Sequence, residues 1–207
     1  MTVIHHSYAD EDLTVPYAKR GPAPTRVLVG YGFWLFLLSD IIMFSAMFAG
    51  YAVLNSHTAD GPKGIELFDR GDVLLETAFL LLSSFTCGLM ALASAAENRT
   101  HTYWAAFATF LLGAGFLVLE LKEFSHMVSI GAGPSHSAFL SSFFGLVGMH
   151  GLHVFAGLVW LVVMMLQVKT IGFSDMVQRR LHCFNLFWHA LDIVWIGVFT
   201  IVYLGAK

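Results

Sequence analysis

Charge is scarce in this sequence. Of its 207 residues only 12% are Asp, Glu, Lys or Arg, about half the share usual in water-soluble domains, whereas 57% are hydrophobic. That balance excludes a chain solvated on every side. The formal net charge of −3 excludes the basic footprint of a nucleic-acid binder, so no nucleic acid is expected as a partner. Cysteine is nearly absent too: Cys87 and Cys183 stand alone, with no C-x-x-C spacing, and read as small buried hydrophobes rather than a disulfide or thiolate metal site. Proline is confined to the tail and the connections, so no span carries the broken-helix pattern of many carriers. No internal repeat is visible. Residues 1–25 are polar, with Pro16, Pro22 and Pro24 and no apolar core of the kind a signal peptide has; the His5–His6 pair there reads as solvated.

What is abundant is apolar sequence in long runs. These fall at about 27–54, 72–96, 103–129, 138–168 and 181–204, each long enough to cross about 30 Å at about 1.5 Å per residue. They predict an all-α polytopic membrane protein, a bundle of five transmembrane helices over 27–207 behind a polar tail over 1–26. The fourth run exceeds a perpendicular crossing and is expected to tilt or project. Short connections make sequential antiparallel neighbours the default. Lys19, Arg20, Arg26, Arg99, Lys169, Arg179 and Arg180 gather on one side against Lys63, Arg70, Lys122 and Lys207 on the other, which predicts a cytoplasmic N-terminus and a periplasmic C-terminus. Tyr31, Trp34, Tyr51, Tyr103, Trp104 and Tyr203 lie near span ends and read as interfacial aromatics.

Against this apolar background the polar residues stand out. The stretch from Gly145 to Trp160 carries His150 and His153 on one helix face, and Gly145, Gly148 and Gly151 as a smooth stripe for close packing. Asp40 is midway along the first run; His189 and Asp192 are i,i+3 neighbours midway along the fifth. A carboxylate at the bilayer centre costs about 2.5–3.5 kcal/mol on insertion scales, so these helices are expected to turn inward, each carboxylate accepting from an imidazole or a hydroxyl such as Ser39 or Ser45. His150, His189 and Asp192 read as a polar network fixing helix register. Asp40, among Leu37, Leu38, Ile41, Ile42 and Phe44, reads as a proton-active carboxyl open to a hydrophobic carboxyl reagent. Glu120, Glu123 and His126 at the end of the third run read as an interfacial cap touching headgroups or a partner, and Glu76 as a carboxylate at the N-terminus of the second helix. His150, His153, His189 and Asp192 offer donors for a carboxylate–histidine metal site, but no H-x-x-x-H pair or repeated E-x-x-H pair supports one.

Several stretches resemble the signatures of subunit III of haem–copper terminal oxidases: Met149 to Val154 with Gly157 and Trp160, Trp188 to Trp195, Leu75 to Thr77 with Leu81 to Ser84, Phe139 to Phe144, and Gly32 to Phe44. The resemblance spans all five runs. The five-span form and the aspartate at position 40 are most similar to subunit III of the cytochrome o (bo-type) ubiquinol oxidases; cytochrome c oxidase forms often have seven spans and a glutamate there. The resemblance implies a non-catalytic chain with no cofactor of its own. Its partners would be subunit I, carrying two haems and copper, subunit II and a small subunit IV, with ubiquinol as the substrate of the complex. It also implies bound phospholipid, a role in proton uptake and assembly, a bacterial inner-membrane location, and His153 as the partner of Asp40. A membrane metalloenzyme and a proton-coupled carrier built on Asp40 are the readings from other classes.

Overall fold

A hydrocarbon environment offers backbone N–H and C=O groups no water, so each apolar run satisfies them internally as helix. A computed structural model describes residues 25–55 and 70–205; the tail with its His5–His6 pair and the first connection with Lys63 lie outside the described residues. The helices are α1 (Thr25–Leu54), α2 (Arg70–Ala95), α3 (Arg99–Ser129), α4 (Ala138–Thr170) and α5 (Asp175–Val198), the last running into a wider π-helical turn, Phe199–Tyr203. All five are long and apolar enough to cross a membrane, and the described residues contain no strand.

The third and fifth helices begin earlier than their apolar runs, at Arg99 rather than 103 and at Asp175 rather than 181. The reason is local capping. The Asn98 side chain accepts from the backbone N–H of His101, and that of Ser174 from Val177, so polar residues that hydropathy leaves out are wound into a first turn. Ser137 does the same for α4 through Leu140. Gly131 and Gly172, at φ 81° and 78°, close α3 and α4 in the left-handed conformation that favours glycine.

Sequential pairing holds for α2–α3, α3–α4 and α4–α5, and fails for α1, which packs on α4 and α5. Its buried residues Leu37, Phe44 and Tyr51 recur every seven positions, a single narrow seam of the coiled-coil kind. Most of the rest of α1, including Leu35, Leu38 and Ile42, is exposed on this chain. α5 lies at the centre, against α1, α2 and α4. Its Trp188 fits a notch between α3 and α4, where a Cβ on Gly157 would come within 2.8 Å of the indole and one on Gly113 within 3.0 Å. The indole N–H of Trp188 donates to Ser83 at 3.0 Å and that of Trp195 to Thr77 at 3.1 Å, tying α5 to α2. Tyr51 and Tyr203 are buried rather than interfacial: Tyr51 packs on Phe139, and the Tyr203 hydroxyl donates inward to Glu123. Tyr31, Trp34 and Trp104 are exposed.

Candidate functional site

Asp40 projects from α1 between Leu37 and Phe44, one helical turn from each, and so lies beside the seam that meets α4. His153 comes from the facing side of α4. Its Nδ1 lies 2.8 Å from the Met149 carbonyl oxygen one turn back; a carbonyl can only accept, so Nδ1 carries the hydrogen. That bond fixes the ring and leaves Nε2 toward α1, where it stands 3.9 Å from Asp40 Oδ2. The separation is too long for a direct hydrogen bond and within the range of a charge interaction. Phe44 meets the imidazole edge-on at 5.2 Å and Phe187 stacks at 6.4 Å, so rings wall the pair. Each side chain remains about one-fifth exposed (20% for Asp40 and 19% for His153), on the open flank of α1. Ser39 and Ser45 are not partners of Asp40: their hydroxyls donate to Phe36 and Ile41 carbonyls on their own helix, the usual local competition of serine in helices.

The expected network of His150, His189 and Asp192 does not form as one unit. His150 is wholly buried among the rings of Phe44, Phe116 and Trp195, and neither ring nitrogen has a hydrogen-bond partner among the described residues. It packs as an aromatic plate between α1, α3 and α5. His189 and Asp192 lie instead against α2. His189 Nδ1 is 2.7 Å from the Ser84 hydroxyl, and Asp192 interacts with both Ser84 and His189. Ser84 was missed as a site residue; a serine within a leucine-rich run gave no periodic signal, although it lies in a stretch carrying the family resemblance.

The interfacial cap is a second correction. Glu76 and Glu120 are 1% and 2% exposed, inside the bundle rather than at headgroups. Glu120 lies flat against Gly151, where a Cβ would stand 2.5 Å from Oε1, so the glycine stripe of α4 receives a carboxyl side chain instead of a neighbouring backbone. Glu123 Oε2 accepts from the Tyr203 hydroxyl at 3.0 Å. Glu76 and Glu123 both lie within electrostatic reach of Glu120, and one oxygen of Glu76 and one of Glu120 lack a partner among the described residues. Because α2 starts at Arg70, Glu76 is a turn and a half into the helix, past the free N–H groups of its terminus. Only His126, exposed near the end of α3, is placed as the cap reading requires.

Among the described residues no three His, Cys, Asp or Glu side chains are grouped to hold a metal ion. The geometry instead offers one carboxylate–imidazole pair at membrane depth, one hydroxyl–imidazole–carboxylate set on another flank, and an internal acidic cluster. Residues 18–207 match the family model described as cytochrome c oxidase subunit III. The cytochrome bo(3) ubiquinol oxidase subunit 3 of Pseudomonas aeruginosa is 53% identical over 174 residues, 84% of this chain and 83% of that protein. Its namesake in Pseudomonas putida is 49% identical, covering 84% of each. The quinol oxidase subunit 3 of Bacillus subtilis is 42% identical over 84% of this chain and 85% of its own length. A match along nearly the whole chain, on a five-helix membrane bundle, makes this chain a member of the cytochrome c oxidase subunit III family.

Proposed function

We propose that this chain is the non-catalytic subunit III of a proton-pumping haem–copper quinol oxidase of an aerobic respiratory chain. The observation that carries this reading is the family match over residues 18–207, with relatives named as quinol oxidase subunits in both Pseudomonas and Bacillus. In this reading haem, copper and oxygen chemistry belong to subunit I, and this chain docks beside it in a bacterial inner membrane together with subunit II and a small subunit IV. Phospholipid fills its lipid-facing surface, and ubiquinol is the substrate of the complex.

The chain's own contribution is to support proton uptake through Asp40 and His153 during sustained turnover, keeping the complex from inactivating rather than setting its initial rate. A carboxyl and an imidazole sharing one proton are neutral as a pair in either arrangement, as carboxylate with imidazolium or as acid with neutral imidazole. Across the 3.9 Å between them one bridging water can therefore relay the proton without leaving a net charge at membrane depth. The fixed Nδ1 of His153 keeps Nε2 directed at Asp40 throughout. His150 packs between α1, α3 and α5, the Ser84–His189 contact joins α2 to α5, and Tyr203 holds Glu123.

Tagging this chain, solubilising the membrane gently and assaying what co-purifies tests the reading. Haem absorption and quinol-driven oxygen consumption in the tagged complex, absent from the chain expressed alone, are the expected result. Cytochrome c oxidation in place of quinol oxidation would move the chain to the other branch of its family. A colourless single polypeptide would sink the accessory-subunit reading and favour a carrier.

A further inference from the structure

α2 and α5 bound a groove of about 710 Å3 with no residue of α1 in its lining, within the roughly 300–1,000 Å3 typical of small-molecule sites. Leu81 and Phe85 form apolar walls, both exposed on the surface of the bundle. Ser84, Asn185, His189 and Asp192 supply the polar ones. A few polar groups converging in an apolar cleft is the usual composition of a ligand site.

The depth of those groups narrows the occupant. Ser84 lies 14 residues from the start of α2 and 11 from its end, about 21 Å and 17 Å at about 1.5 Å per residue. A phospholipid headgroup stays about 15 Å or more from the midplane, and an acyl chain has nothing to offer Ser84, His189 or Asp192. None of the residues lining the groove is Lys or Arg, so a phosphate would meet only the Asp192 carboxyl. The unmet capacity is for a donor. Asp192 Oδ1 is enclosed in the bundle without a partner among the described residues, so Asp192 meets the groove through its other carboxyl oxygen, and Asn185 Oδ1 accepts only a weak S–H contact from Cys87 at 3.4 Å. A flat, apolar ring bearing hydroxyl groups, with a hydrocarbon tail, meets all of these conditions.

We propose that the α2–α5 groove binds quinol, its ring hydroxyls donating to Asp192 and Asn185 and its tail lying along Leu81 and Phe85. The assignment rests on the quinol-oxidase reading above for the identity of the ring. It gives this chain a ligand site of its own, which lets it hold substrate at the edge of the complex.

The purified complex, irradiated with a photoreactive azido-quinol analogue and mapped by peptide mass spectrometry, tests this. Label is expected on peptides spanning 81–92 and 185–192, displaced by excess quinol and not by added phosphatidylethanolamine. Gly88→Leu fills the groove; a Cβ there meets nothing within 4 Å, so the helix accommodates the substitution. Labelling should fall several-fold in that variant and in Asp192→Asn, with haem content and subunit composition retained. Displacement by phospholipid would give the groove to an acyl chain, and cross-links from these peptides to a partner helix would give it to a subunit contact; either overturns the proposal. So does an active quinol oxidase in which this chain carries no label. A complex that oxidises only cytochrome c would instead overturn the quinol-oxidase reading itself.

Discussion

Asp40 and Glu120 show how differently two carboxyls in apolar runs are handled. Glu120 is enclosed against Gly151 and shielded by α2 and α4, whereas Asp40 keeps an open side on α1 and a single imidazole opposite it. A hydrophobic carbodiimide reaches a carboxyl only from lipid, so Asp40 is expected to be modified first and Glu120 to be spared. Asp40→Asn should abolish modification of α1 while haem content and the initial rate of oxygen consumption stay near the unsubstituted values. Mass mapping of the treated complex and haem quantitation check it. Haem loss in that variant would show Asp40 to be structural, and undiminished labelling of α1 would remove it as the reactive group. His150 needs no such test of reactivity: enclosed by Phe44, Phe116 and Trp195, it is out of reach of both water and reagent.

At the scale of the elements, the close joint is α5 on α4. Trp188 is pinned by the notch at Gly157 and Gly113 and by its bond to Ser83, so it cannot move aside for a larger neighbour. Gly157→Leu should therefore cost about 1–3 kcal/mol through overpacking, while Gly145→Leu, where a Cβ meets nothing within 4 Å, should be close to neutral. Retention of the chain on the complex during heating in detergent separates the two, and equal loss in both would refute the notch. The helices themselves were legible in the sequence because lipid as solvent turns every long apolar run into a helix, whatever its partners. Their neighbours were not. That α1 pairs with α4 and α5 depends on the seam of Leu37, Phe44 and Tyr51, which is hard to distinguish from the other apolar positions of a helix that is hydrophobic all round. The same blindness misplaced Glu76 and Glu120: a charged residue near the end of an apolar run reads as interfacial, and only the facing Gly151 reveals that space was left for it inside. Asp40 stood out in the sequence as a carboxyl midway along an apolar run, but His153 as its partner came from the family resemblance, because depth alone left any imidazole or hydroxyl on a facing span open to it.

For the molecule as a whole, sidedness decides from which compartment the proton uptake proposed at Asp40 would draw. The α2–α3 and α4–α5 connections lie at one end of the bundle and touch, since a Cβ on Gly172 would stand 2.9 Å from the Arg99 guanidinium. Arg99, Lys169, Arg179 and Arg180 crowd this end, and the bonds from Gln178 to Glu97 and from Arg180 to Gln167 join neighbouring elements across it. Basic residues in short connections are retained on the cytoplasmic side, so this end is expected to face the cytoplasm and the α3–α4 connection the periplasm. Single cysteines read this out. Thr100 and Ser135 are exposed at opposite ends, and the native Cys87 and Cys183 are buried and should stay silent. In intact cells a membrane-impermeant maleimide should label Ser135→Cys and leave Thr100→Cys unmodified until the membrane is opened. The reverse pattern would invert the bundle and place the approach to Asp40 through α1 on the opposite side. Labelling of both in intact cells would contradict the alternating crossings themselves, and with them the matched depth that brings Asp40 to His153.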